Sequence, residues 1–323
     1  MIGASFAGAE TMPIPLLVTL PLEPRFVPQF EAAGFALTLA ADNHAEVIAA
    51  RGAEFRGVLT FGTLGFSAAE IDRMPNLEII CAIGAGYENV DVAAARARGI
   101  VVTHGPGTNV VAVADHAMAL LMAAARMIVP GDRVARTGDW AKGKQMRPTI
   151  TGKKLGILGM GRIGSAIAKR GAGGFDMPVG YHNRRPVEGA SGRYFSSLVA
   201  LAEWADFLAI ASPGGPGTRH LVNAGVLAAL GPEGYVVNIA RGSIIDQAAL
   251  IDALKTGKIA GAGLDVLDGE PAIPPALAAL DNVVLTPHIA GRAPESEAAM
   301  AGLMLENLRA HFAGKSPITP VPD

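Results

Sequence analysis

Three residues of different chemical type stand where apolar runs end in the second half of the chain. Arg241 follows "GYVVNIA", His288 follows "NVVLTP", and Glu270 lies shortly beyond Asp265 of "GLDV". Together these types suit hydride transfer to a carbonyl. That transfer leaves an alkoxide in need of a proton, and an imidazole with its ordinary pKa of about 6.5 is a natural donor. A carboxylate touching the ring favours its protonated form, the role open to Glu270. A guanidinium binds the carboxylate of an acid substrate and polarises the carbonyl beside it, the role open to Arg241. Each residue also has a plainer reading: His288 as a satisfied core histidine, Glu270 as a turn residue before Pro271, Arg241 as a surface cation. Their joint placement at strand ends favours a site.

A second constellation precedes them. Gly159, Gly161 and Gly164 form G-x-G-x-x-G between the apolar strand "LGIL" and the helical stretch "RIGSAIAKR". In that context the first glycine permits a tight turn, the second lets the backbone approach a pyrophosphate, and the third packs helix on strand. The helix N-terminus then offers unbonded N–H groups to the anion. About 20 residues on, where such chains place an acid for the ribose of NAD, this one reads "YHNRRP". Arg184 and Arg185 reverse the expected sign and suit the 2′-phosphate of NADP, with Asn183 as a neutral donor. A solvated surface loop is the alternative reading. After "FLAIA" come Ser212 and Pro213, leading into "GGPGT".

These residues need strands to hold them. Five β-rich runs, "PLLVTL", "FALTLA", "GVLT", "LEIICAIG" and "GIVVTHG", alternate with helical pieces such as "HAEVIAARG" and "SAAEIDRM". A second alternating set starts at "KKLGILGMGRIG" and continues through "MPVGYHN", "FLAIASP", "GYVVNIARG", "AGAGLDV" and "NVVLTPHIAG". Alternation predicts an α/β fold: two Rossmann-like or flavodoxin-like parallel-sheet domains with a cleft between them. The break at "GPG" and the last helix, "ESEAAMAGLMLENLRAHF", divide the chain into 1–106 with 295–323, a substrate-binding domain, and 107–294, a dinucleotide-binding domain. The apolar helical run "NVVAVADHAMALLMAAARMIV" is expected to bury its surface against another domain or another subunit. Tandem repeats and low-complexity segments are absent.

Composition narrows the classes. The 323 residues carry a net charge of −2, so no basic face invites nucleic acid. Cys81, the single cysteine, lies in an apolar run and reads as a buried structural thiol in a reducing compartment. The opening "MIGASFAGAETMPIP" reads as a short loose leader without signal-peptide character, and no apolar run is long enough for a membrane span. A soluble, cytoplasmic protein is expected. His44, His104, His116, His182, His220 and His311 show no regular ligand spacing with acids or thiols, so no metal is expected. A G-x-S-x-G nucleophile elbow is missing.

From about residue 50 onward, "GAGYENVD", "LGILGMGRIG", "VVNIARGSIID", "GAGLDV", "DGEP" and "NVVLTPHIAG" resemble the D-isomer-specific 2-hydroxyacid dehydrogenases. "HNRRP", "SPGGPGTRHLVN" and "HFAGKSPITPV" resemble the glyoxylate/hydroxypyruvate reductase branch, which includes plant hydroxyphenylpyruvate reductases. The resemblance implies Arg241 at the substrate's carboxylate and carbonyl, His288 as acid/base, and Glu270 keeping it protonated. It adds backbone N–H groups at Ala85 and Gly86 as a carboxylate cradle and Leu64 as a pocket wall. On the cofactor side it implies Gly159, Gly161, Arg162 and Ile163 at the pyrophosphate, and Ser212, Pro213 and Thr218 along the loop. Asp265 falls at the nicotinamide amide, with Ile239, Ala240, Arg241, His288 and Gly291 completing the contacts. It also implies a homodimer with the long helix after Gly107 in the interface. Val110 stands where many relatives carry Thr, and Arg292 departs from the usual pattern. The expectation is NADP(H)-dependent reduction of a small 2-oxo acid to the D-2-hydroxy acid. The alternatives are a dinucleotide-sensing corepressor-like binding protein and a relative acting on a substrate such as formate or phosphite.

Overall fold

Branched and aromatic side chains fit a pleated surface, and a strand covered by helices on both faces reads as an unbroken apolar run. In the first unit such runs become β1 (Ile14–Val18), β2 (Phe35–Leu39), β3 (Gly57–Phe61), β4 (Ile79–Ile83) and β5 (Val101–Thr103). All pair in parallel in the order β2-β1-β3-β4-β5, the flavodoxin-like winding. Alternate residues serve opposite faces. Leu17, Val58 and Ile80 join one core cluster, whereas Leu16, Leu59, Ile79 and Cys81 join another. The second cluster is closed by Ala301, Met304, Leu305 and Leu308 of the C-terminal helix Pro294–Phe312. Burial leaves Cys81 fully covered and pushes its thiol up to about 12.

The second unit holds β6 (Leu155–Leu158), β7 (Val179–His182), β8 (Arg193–Tyr194), β9 (Phe207–Ile210), β10 (Tyr235–Asn238), β11 (Gly261–Leu264) and β12 (Val283–Leu285). The parallel order is β12-β11-β10-β9-β6-β7-β8. Winding direction reverses between β6 and β9, and the crevice beyond their carboxyl ends is where doubly wound sheets bind ligands. Ile157, Ala209 and Val237 face one cluster, and Leu158, Leu208 and Val236 face the other. β8 escaped the sequence pattern because a two-residue edge strand has no periodicity to read.

The computed structural model describes residues 12–322. It separates into residues up to Asn109 together with those from Pro294 on, and Val110–Ala293. The expected leader lies largely outside the described residues, and Ile14 and Pro15 at its end belong to β1. The apolar run beyond Gly107 is two helices, Val110–Ala125 and Ile128–Arg136, broken at Met127 with φ of 52°. The first was expected to bury its surface against another domain or subunit. Instead Val113, Ala117, Leu120 and Leu121 pack into the core of their own unit, and a Cβ added to Gly263 of β11 would meet Leu120 Cβ at 2.9 Å. No single described helix is long and apolar enough to cross a membrane.

Candidate active site

The glycine turn joins β6 to the helix Arg162–Phe175. Gly159 has φ of 99°, and a Cβ there would meet the Ser212 backbone nitrogen at 2.6 Å, so the ends of β6 and β9 touch backbone to backbone. A Cβ on Gly164 would lie 2.1 Å from the Gly159 carbonyl oxygen. Two of the three glycines are therefore required by contacts within the fold. Gly161 is not: a Cβ there would meet no protein atom within 4 Å. Gly161 is also the helix N-cap and makes no side-chain capping bond. Open space in front of uncapped N–H groups fits a phosphate approaching the backbone. Arg162 is exposed and Ile163 packs beside the core.

The loop after β7 is tied to this turn. Asn183 Oδ1 accepts the Met160 N–H at 2.6 Å, and the His182 carbonyl accepts the Gly159 N–H at 3.0 Å. Asn183, expected as a donor to ligand, thus spends its oxygen on the glycine loop. Arg184 and Arg185 are exposed, and neither forms an ion pair or side-chain hydrogen bond with another described residue. Their charge is not committed to a carboxylate of the protein. In the loop after β9, Ser212 is buried and its hydroxyl faces the Pro213 carbonyl at 3.3 Å. The Thr218 hydroxyl closes the same loop on the carbonyls of Pro213 (2.9 Å) and Gly215 (3.1 Å).

At the end of β10, Asn238 is fully buried and knits the turn that carries Arg241. Its Oδ1 accepts the Ala240 N–H and its amide donates to the Arg241 carbonyl, both at 3.0 Å. The Arg241 guanidinium donates to the Ala240 carbonyl at 2.7 Å. Gly214 lies alongside, where a Cβ would meet Arg241 Cγ at 2.7 Å. Gly242 packs on the neighbouring loop so tightly that its Cβ would fall 1.9 Å from the Leu267 carbonyl carbon. That neighbouring loop carries Glu270, whose Oε1 accepts the Leu267 N–H at 2.8 Å.

Glu270 Oε2 then accepts from His288 Nδ1 at 2.8 Å, with both side chains about one-third exposed. The hydrogen bond to Glu270 raises the His288 pKa, against burial and the Arg241 charge, which lower it. Burial pushes the Glu270 carboxyl up, but its bonds to His288 and the Leu267 N–H, with the charges of His288 and Arg241, outweigh this and leave it below the ordinary value. The pairing favours the protonated form of the imidazole and the ionised form of the carboxylate, and the Arg241 charge acts on both.

His288 has φ of 55°, a left-handed conformation rare for a non-glycine residue. Its N–H donates to the carbonyls of Asp265 (2.9 Å) and Thr286 (3.0 Å). Asp265 is 2% exposed and grips the residues that follow. Its oxygens accept the N–H groups of Ile289 at 2.9 Å and Ala290 at 2.8 Å, and the Thr286 hydroxyl at 2.6 Å. Expected as a cofactor contact, Asp265 is thus also a brace for the His288 turn. Sequence reading passed over Asn238, Thr286, Gly214 and Gly242. Asn238 and Thr286 did leave a signal: each is a polar residue closing an apolar run, three and two residues before Arg241 and His288 respectively.

Residues 118–290 match the family model for the D-isomer specific 2-hydroxyacid dehydrogenase NAD binding domain. The chain belongs to that family. It is 41% identical over 267 residues to glyoxylate/hydroxypyruvate reductase A of Arabidopsis thaliana, covering 82% of this chain and 85% of the relative. It is 39% identical over 277 residues to hydroxyphenylpyruvate reductase of Plectranthus scutellarioides, covering 85% and 88%. Among solved structures, an NADPH-dependent glyoxylate/hydroxypyruvate reductase from Sinorhizobium meliloti, in complex with NADP and malonate, superposes with a TM-score of 0.85 at 38% identity, covering 96% of this chain and 97% of that one.

Three of the remaining candidates in this member of the family, Leu64, Ala85 and Gly86, lie in the first unit. Leu64 is 48% exposed on the turn after β3. Ala85 and Gly86 form the loop after β4, held from both sides. A Cβ on Gly62 would lie 2.0 Å from the Gly86 carbonyl oxygen, and His104 Nδ1 donates to the Ala85 carbonyl at 2.9 Å. Buried against the sheet of the second unit are Ile239 and Ala240, while Gly291 is partly covered in the turn after His288. Among the described residues, no group of His, Cys, Asp and Glu is arranged to hold a metal ion.

Proposed function

We propose that this protein reduces a small 2-oxo acid, of the size of glyoxylate or hydroxypyruvate, to the D-2-hydroxy acid with NADPH. The observation that carries the reading is the His288–Glu270 pair, 2.8 Å apart on the same sheet edge as Arg241 and the glycine turn. A bound nicotinamide dinucleotide would supply the hydride. Gly159, Gly161, Arg162 and Ile163 would hold its pyrophosphate, with Ser212, Pro213, Thr218, Ile239, Ala240, Asp265 and Gly291 along its length. Arg184 and Arg185 would take the 2′-phosphate. This rests on their exposure and on their lack of protein carboxylate partners.

His288 presents Nδ1 to Glu270, which leaves Nε2 to deliver its proton to the developing alkoxide. Glu270 keeps that proton in place before the reaction and stabilises the ring electrostatically. Arg241 would bind the acid's carboxylate and polarise the carbonyl; within the first unit, the backbone N–H groups at Ala85 and Gly86 and the Leu64 side chain are further candidates for contact with the acid. A homodimer is part of the reading. Ile128, Val129, Trp140 and Met146 expose large apolar side chains that a second copy would cover. The dinucleotide-sensing alternative gains no support from the relatives named above, which are reductases.

A steady-state panel of small 2-oxo acids, run with NADPH and with NADH, tests the reading. Turnover with kcat/KM at least about tenfold higher for NADPH is the expected result, given the strength of charge-assisted bonds to phosphate. No turnover on any acid, with tight NADPH binding, would overturn it.

A further inference from the structure

We propose that His116 is a positioning residue for His288, acting through Thr286 and the buried Asp265 carboxylate. The inference rests on the reading of His288 as proton donor. The direction of each bond follows from chemistry. Asp265 Oδ1 is an acceptor here, taking the Ile289 N–H at 2.9 Å and the Thr286 hydroxyl at 2.6 Å. A hydroxyl has one proton, so Thr286, having given it to Asp265, must accept from its other neighbour. That neighbour is His116 Nε2 at 2.9 Å, which therefore carries a proton. The same nitrogen lies 3.5 Å from Asp265 Oδ1.

The result is a chain of donors with one end on a rigid element. His116 sits on the helix Val110–Ala125, between residues locked in the core: Val113, Ala114, Ala117 and Met118. The other end is the turn 288–290, where the Asp265 carboxylate takes the N–H groups of Ile289 and Ala290 and the Asp265 carbonyl takes that of His288. That turn holds His288 at φ of 55°, a conformation that persists only when its surroundings fix it. Without the His116 N–H, the Thr286 hydroxyl is free to turn from Asp265, and Asp265 loses part of its grip. His288 then drifts from Glu270. The charged groups that act on His288 are Glu270, Arg241 and Asp265, with Arg292 following on the same turn. Next to His116, Asp115 is engaged with Arg170 at 2.6 Å.

The test compares His116→Leu, which removes the donor, with His116→Gln, whose amide N–H falls near the place of Nε2. For His116→Leu, kcat for reduction should fall about tenfold. The alkaline limb of kcat/KM should move to lower pH, and the KM for NADPH should stay near that of the unmodified protein. His116→Gln should restore both the rate and the limb. Imidazole NMR titration of His288 in the protein without substrate reads the same displacement directly. A His288 midpoint unmoved in His116→Leu, or equally displaced in both variants, would overturn the proposal. If the unmodified protein reduces no 2-oxo acid, the functional reading fails while the NMR comparison still decides the role of His116. Should His116→Leu fail to fold, a His116→Gln protein with a displaced His288 midpoint would overturn the proposal and one with an unmoved midpoint would support it.

Discussion

Each unit carries a histidine a short way beyond the end of a strand, and the two rings are used differently. In the second unit His288 Nδ1 meets an anion, the Glu270 carboxylate, at 2.8 Å. In the first, His104 Nδ1 meets a neutral carbonyl, that of Ala85, at 2.9 Å. The arrangement at His288 favours a charged ring; that at His104 holds a loop. The surroundings follow the same division. Around His288 stand side chains with charge: Arg241, Glu270 and Asp265. Around His104 stand backbone groups brought close by glycines, since Gly105 would press a Cβ on Gly84 and Gly62 would press one on Gly86. One region carries chemistry in its side chains, and the other offers shape and N–H groups.

The largest effect expected from this contrast is His288→Ala. Loss of a positioned general acid typically costs 10²–10⁴-fold in rate, so kcat should collapse by about that factor while NADPH affinity, read by fluorescence titration, changes little. Unchanged turnover would remove the distinction between the rings. Next comes replacement of Arg184 and Arg185 by neutral residues. The KM for NADPH should rise by about tenfold or more, each charge-assisted bond being worth roughly 1.5–3 kcal/mol. NADH kinetics should barely move. Equal damage to both cofactors would make the arginines structural and return the loop to its plainer reading.

The same division explains what was legible in the sequence. Arg241, Glu270 and His288 could be picked out because a charged residue after an apolar strand is conspicuous, and both sheets followed from alternating apolar runs. The family motifs pointed at Ala85 and Gly86, but not at the clasp that holds them. That clasp is made of Gly62, Gly105 and His104, and a glycine's reason for being small is a neighbour distant in the chain. Asp265 was assigned to a cofactor, yet its carboxylate also grips the 288–290 turn, a use set by backbone N–H groups that no residue code records. The long apolar helix follows the same rule. Apolarity shows that a face is buried but not by what, and its partner is the sheet beneath it.

A smaller effect tests how the charged pair works. Glu270 raises the His288 pKa, so the protonated ring persists to higher pH than an isolated imidazole would. Reduction consumes the protonated form, and its rate should fall as pH rises through that raised value. Oxidation of the hydroxy acid should show the opposite dependence. Glu270→Gln removes the anion, so the limb for reduction should move to lower pH, with a loss on the order of tenfold at pH 8. A pH profile identical to that of the unmodified protein would show that Glu270 only orients the ring. Both rings would then be positioned by neutral bonding alone.

The smallest effect belongs to His104. His104→Phe keeps a ring where the Tyr87 edge contact now lies, at 5.1 Å between centroids, but removes the donor to Ala85. Since an ordinary hydrogen bond contributes about 0.5–1.5 kcal/mol net, the KM for the 2-oxo acid should rise roughly two- to tenfold. The kcat and the KM for NADPH should hold, because no proton and no cofactor phosphate depends on the Ala85 carbonyl. His104→Asn, which retains a donor, should fall between the two. If His104→Phe leaves the acid's KM unchanged, backbone packing at Gly62 and Gly105 is enough to fix the loop. The imidazole would then be an accessory to a cradle already made by glycine.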